Sequence, residues 1–98
     1  MKAIVAHQWG GPEVLKVEEV PLPQPKENEI LIKSFAAGVN SFDGTLLSGK
    51  YEKVFGTRLP WIPGYDVAGM VEKVGANVRK FKAGDPVYAF ISIPNGGW

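Results

Sequence analysis

Pro63-Gly64-Tyr65-Asp66-Val67-Ala68-Gly69-Met70-Val71-Glu72-Lys73-Val74-Gly75 is the stretch on which the fold turns. Between Gly64 and Gly75 the run from Asp66 to Val74 holds no proline and is rich in valine, which reads as one strand bounded by turn residues. Gly64 and Gly69 have the spacing of a phosphate-binding loop, but Met70-Val71 stand where Lys and Ser or Thr are required. It is therefore not a phosphate loop. Gly-x-Gly-x-x-Gly occurs nowhere in the 98 residues, so the chain carries no dinucleotide-binding fingerprint of its own. Gly64, Gly69, Gly75 and Gly84 are most simply glycines of turns and close packing.

Outward from this strand, short runs rich in Val, Ile and aromatics predict strands at Ala3–His7, Val14–Val20, Glu29–Phe35 and Val87–Ile91. The class is mainly β. Ile30 and Ile32 alternate with Leu31, Lys33 and Phe35, which predicts one largely buried side, as in a small barrel wall. Evenly spaced strands favour barrel closure. Pro21, Pro23 and Pro25 set a stiff extended connection without Pro-x-x-Pro spacing. From Asn40 to Gly49 the pattern predicts one short helix: Asn40 caps it, Asp43 is its acidic third residue, Phe42 and Leu46 share a face, and Gly49 stops it. No repeat or heptad is present, which removes solenoids and coiled coils.

Composition narrows the function. With 45% hydrophobic and 21% charged residues the chain is an ordinary globular one, and 11 Lys+Arg against 10 Asp+Glu leave +1. That balance lacks the basic footprint for nucleic acid, and no apolar run approaches the ~18 residues of a membrane span. No partner of either kind is expected. The absence of cysteine excludes a disulfide scaffold and a thiolate nucleophile, and a cytoplasmic location follows as the expectation. His7 is the only histidine, so no zinc site is expected and His7 itself reads as a surface or core residue. Ser34, Ser41, Ser48 and Ser92 lie in unrelated contexts without a Gly-x-Ser-x-Gly elbow, which leaves a hydrolase triad without support.

The ordered motifs Gly38-Val39-Asn40-Ser41-Phe42-Asp43, Pro63 to Gly75, and Phe81-Lys82-Ala83-Gly84-Asp85-Pro86-Val87-Tyr88, with Met1-Lys2-Ala3 and Gly11-Pro12-Glu13-Val14-Leu15, span essentially the whole chain. Together they resemble the N-terminal GroES-like domain of the medium-chain dehydrogenases/reductases, in the zinc-free quinone oxidoreductase-like branch. The resemblance implies a partly open β-barrel over residues 1–98 with one short helix, followed in the family by a Rossmann domain that holds NADPH. Asn40 and Tyr65 stand where the zinc-dependent branch carries a Cys and a His, and Asp66 where it carries an acid near the metal, so a zinc-independent reaction is implied. Pro94-Asn95-Gly96-Gly97-Trp98 resembles a turn after which the family pattern continues, which reads as a C-terminal truncation inside the domain.

The same resemblance assigns roles. Asn40, Ser41, Phe42, Asp43, Gly44 and Thr45 would lie against the nicotinamide end of NADPH, and Tyr51 would face the substrate as the catalytic hydroxyl, bonding the carbonyl of a quinone or conjugated enone. The plainer readings stand beside these: Asn40 and Asp43 are a helix cap, and Tyr51 is a surface or barrel aromatic. A homo-oligomer, or association with a separately supplied remainder, is the expected assembly. The alternative is a co-chaperonin-like or non-catalytic structural barrel protein, which shares the fold and is about this long.

Overall fold

The computed structural model describes residues 1–91 and 96–98. Five strands form two separate sheets. β1 (Lys2–Ala6) pairs antiparallel with β2 (Leu15–Glu19), and β3 (Ile30–Ala37), β4 (Asp66–Val74) and β5 (Pro86–Phe90) make an antiparallel sheet in that order. The strand read from Asp66 to Val74 has those bounds in the structure, and the other four differ from expectation by one or two residues at either end. Ser92, Pro94 and Asn95, singled out above, lie outside the described residues.

β4 is central because its pattern suits both neighbours. Val67, Gly69 and Val71 point inward and are buried, while Ala68, Met70 and Glu72 point out. Gly69 is required at its site: a Cβ there would run into the Lys33 carbonyl of β3. The β3–β4 register slips twice, leaving Glu72 on β4 and Phe35 on β3 without a partner opposite, and Phe35 at its bulge is 65% exposed. The expected buried side of β3 is therefore corrected. Ile30, Leu31 and Ile32 are half-buried and Lys33 to Ala37 are exposed, because β3 is a sheet edge whose inner side lines an open apolar cavity of about 730 Å³.

The main core lies at the other end. Ala6, Val14, Leu46, Leu47 and Trp61 pack together, with Trp9, Leu15, Phe42 and Phe55 against them. Ala6 and Trp61 exchange two backbone hydrogen bonds of 2.8 Å, which ties β1 to the segment entering β4. Full burial of Leu46 and Leu47 contributes roughly 1.5 to 3 kcal/mol each, so this core anchors α1 (Ser41–Leu47). The expectation of one helix is corrected by a second, α2 (Glu52–Phe55), which ends at Gly56 in the left-handed region. A single 3-10 turn, Pro12–Val14, leads into β2.

Candidate functional site

α1 begins as its sequence predicts. Phe42 N–H donates to Asn40 Oδ1 at 2.9 Å and Asn40 N–H donates to Asp43 Oδ2 at 2.8 Å, a reciprocal cap that satisfies two backbone donors at once. The cap has a consequence for the site. Asp43 is buried at 3% exposure and holds the Asn40 corner from beneath, with its Oδ1 lacking a partner. Asn40, Ser41, Gly44 and Thr45 are exposed, Phe42 is half-buried, and nothing lies within 4 Å of where a Gly44 Cβ would be.

These groups have defined bonding capacity left. Asn40 Oδ1 is committed to the cap, so its amide NH2 is the free donor, while the Thr45 hydroxyl donates to the Ser41 carbonyl at 3.3 Å and keeps its lone pairs. Tyr51 precedes α2, is 42% exposed, and reaches the same region through rings. Its ring lies 6.2 Å from Phe55, Phe55 lies 5.3 Å from Phe42, Phe42 lies 5.6 Å from Tyr65, and Tyr65 lies 4.9 Å from Phe90. Each pair is edge-to-face, the arrangement that aligns the positive edge of one ring with the negative face of the next. The structure thus joins Tyr51 and the Asn40–Thr45 segment by one continuous aromatic row.

Sequence reasoning gave Tyr65 no role. The structure puts its ring directly on Phe42 of α1, and burial with the Asp43 and Asp66 carboxylates pushes its phenol above the ordinary value. In the sequence Tyr65 is read only as standing where the zinc-dependent branch carries a His, and its contact with α1 is supplied by folding. The 730 Å³ cavity lies elsewhere, between β1 and β3, and includes neither Tyr51, Tyr65 nor any residue from Asn40 to Thr45. It is the space that the two sheets face, and its lining is chiefly apolar.

His7 sits at the surface after β1 and pairs with Glu18 at 2.6 Å. Among the described residues no three His, Cys, Asp or Glu side chains gather in a way that holds a metal ion. Nor is there, among them, a helix long and apolar enough to cross a membrane. For NADPH, the exposed donors and acceptors of the Asn40 corner fit one polar end of the cofactor, and the uncluttered surface over Gly44 leaves room for it. They do not make a whole site, because no glycine-rich strand-to-helix turn for the pyrophosphate is present among the described residues.

Comparison with known proteins agrees with this architecture. The alcohol dehydrogenase GroES-like domain family matches residues 26–96. A quinone oxidoreductase of Lama guanicoe is 45% identical over 97 residues, covering 98% of this chain and 29% of its own. An NADPH-dependent alkenal/one oxidoreductase of Arabidopsis thaliana chloroplasts is 47% identical over 93 residues, covering 94% and 24%. Among solved structures, the Escherichia coli quinone oxidoreductase complexed with NADPH superposes with a TM-score of 0.85 at 40% identity, covering 94% of this chain and 27% of that one. The chain thus spans less than a third of the length of these relatives.

Proposed function

Because the chain belongs to the alcohol dehydrogenase GroES-like domain family, in its quinone oxidoreductase-like branch, we propose that it forms the substrate-side wall of an NADPH-dependent, zinc-independent reductase of quinones or conjugated enones. The observation that supports this most is the capped Asn40 corner held beside the aromatic row. Bound NADPH supplies the hydride. Everything else asked of this chain is positioning. The Asn40 amide NH2 donates to a ribose or carboxamide oxygen, the Ser41 and Thr45 hydroxyls add further contacts, and Gly44 leaves the approach open. Asp43 keeps that corner in place through the Asn40 backbone. Tyr51, with its hydroxyl at the surface, donates to the carbonyl oxygen of the acceptor, which stabilises the charge that gathers there as the conjugated carbon is reduced.

In this reading residues 1–98 are a GroES-like domain working with a nucleotide-binding domain, the partner is a small neutral carbonyl compound, and the site of action is the cytoplasm. Removing one such hydrogen bond costs about 1 to 3 kcal/mol, or about 5- to 150-fold in kcat/KM. Steady-state kinetics of the enzyme containing this chain, with NADPH and 1,4-benzoquinone, test both roles. Tyr51→Phe is expected to lower kcat/KM for the quinone by that factor, and Asn40→Ala to weaken NADPH. Unchanged values for both would return them to a surface aromatic and a helix cap.

A further inference from the structure

Tyr65 is the most constrained phenol of the described structure and has no part in the reaction as set out above. Its backbone is held on both sides: Gly64, at φ 89°, makes the turn before it, and Ile91 N–H donates to its carbonyl at 2.7 Å. Its ring is gripped edge-to-face by Phe42 on α1 at 5.6 Å and by Phe90 on β5 at 4.9 Å, leaving the residue 9% exposed. Among the described residues its hydroxyl makes no hydrogen bond, and it is not one of the buried side-chain atoms left without a partner, which are Asp43 Oδ1 and Thr57 Oγ1. A hydroxyl on a rigidly held ring, with no partner among the described residues, is a group that can serve a ligand oxygen.

We infer that the Tyr65 hydroxyl is a second hydrogen-bond donor to the carbonyl oxygen of the acceptor, and that it holds this oxygen without giving up its proton. The inference rests on the reductase reading above. Phe42 belongs to the segment assigned to the nicotinamide, so the ring it supports borders the place where hydride is delivered. During the reaction the acceptor gains a C–H bond at its conjugated carbon from the hydride that would leave NADPH as NADP+, the π pair moves onto the carbonyl oxygen, and water, left as hydroxide, supplies the proton that this oxygen or its α-carbon finally takes up. Tyr65 bonds that oxygen throughout. Burial, and after it the neighbouring Asp43 and Asp66 carboxylates, raise the phenol above its ordinary value, and so make it a lasting donor and a poor acid. The same carboxylates oppose an anionic acceptor, which confines the site to neutral carbonyl compounds.

The test is the infrared band of carbonyl-13C 2-cyclohexen-1-one bound to the enzyme containing this chain. Tyr65→Phe keeps the ring against Phe42 and Phe90 and removes only the donor. Its band is expected at higher frequency than in the native enzyme, with KM for cyclohexenone raised about 5- to 10-fold. Asp66→Asn leaves the hydroxyl and removes one opposing charge, so its band is expected at lower frequency. Bands that coincide in native enzyme and both variants would overturn the inference, while NADPH oxidation by the native enzyme kept the reductase reading standing. A native enzyme that neither binds cyclohexenone nor oxidises NADPH with it or with 1,4-benzoquinone would overturn the reading and this inference with it.

Discussion

At the scale of single residues, the Asn40–Asp43 pair shows how a structural device can also set a site. The cap is legible because Asn followed three residues later by an acid needs only local geometry, and the structure forms it as the spacing predicts. Tyr65 is the opposite case, since its surroundings come from two distant parts of the chain, α1 and the end of β5. Its phenol is raised above the ordinary 10.0, first by burial, then by Asp43 and Asp66. A group whose folded pKa is raised contributes stability that is complete below the unfolded pKa and is lost as pH climbs through the folded one. Urea unfolding of native protein and Tyr65→Phe, compared from about pH 8 to 11, should show a constant difference up to about pH 10. Above it the difference should move against the native protein. A difference that stays flat to the top of the range would mean that neither burial nor the two acids raise the phenol.

At the scale of elements, β4 organises the molecule because it alone has neighbours on both sides within the larger sheet. Its reading from sequence succeeded where that of β3 did not. β4 alternates cleanly, whereas β3 is an edge that accommodates a bulge at Phe35, a geometry that depends on its partner and leaves no mark in its own composition. α2 was also illegible: four residues, Glu52–Phe55, are too few to show a period, and a helix that short persists through the packing of Phe55 on Phe42. The close approach of β3 to Gly69 gives a direct test. Gly69→Ala forces the strands apart at the Lys33 carbonyl and is expected to destabilise the fold by about 1 to 3 kcal/mol, measured by equilibrium denaturation. Stability equal to the native protein's would show that β3 moves aside without cost.

At the scale of the whole molecule, two sheets face each other across a cavity and do not close into a barrel among the described residues. Among the described residues the larger sheet is bounded by β3 on one side and by β5 on the other. On β5 the outward side chains include Tyr88 and Phe90 at 90% and 73% exposure, with Met70 of β4 on the same face. Open edges beside an apolar face favour pairing with another copy. Sedimentation of the 98-residue chain at micromolar concentration is expected to show species heavier than 10.7 kDa, and the double variant Tyr88→Lys, Phe90→Lys to return it to the monomer. A native chain that sediments only as monomer would show that this face needs no cover.

What the sequence by itself determined is what depends on near neighbours: the positions of the strands, the capped start of α1, the turn at Gly64, and the lack of any cysteine or second histidine with which to bind zinc. Its motif order also carried the family. What only the tertiary structure decided is which of these local pieces meet. The row from Tyr51 through Phe55, Phe42 and Tyr65 to Phe90 draws on α2, α1, the turn before β4 and β5, and no spacing along the chain encodes that contact. The exposure of β3 likewise follows from what stands opposite it. Periodicity reports which side of an element prefers to be covered, whereas burial requires a second surface, and that surface is supplied by folding.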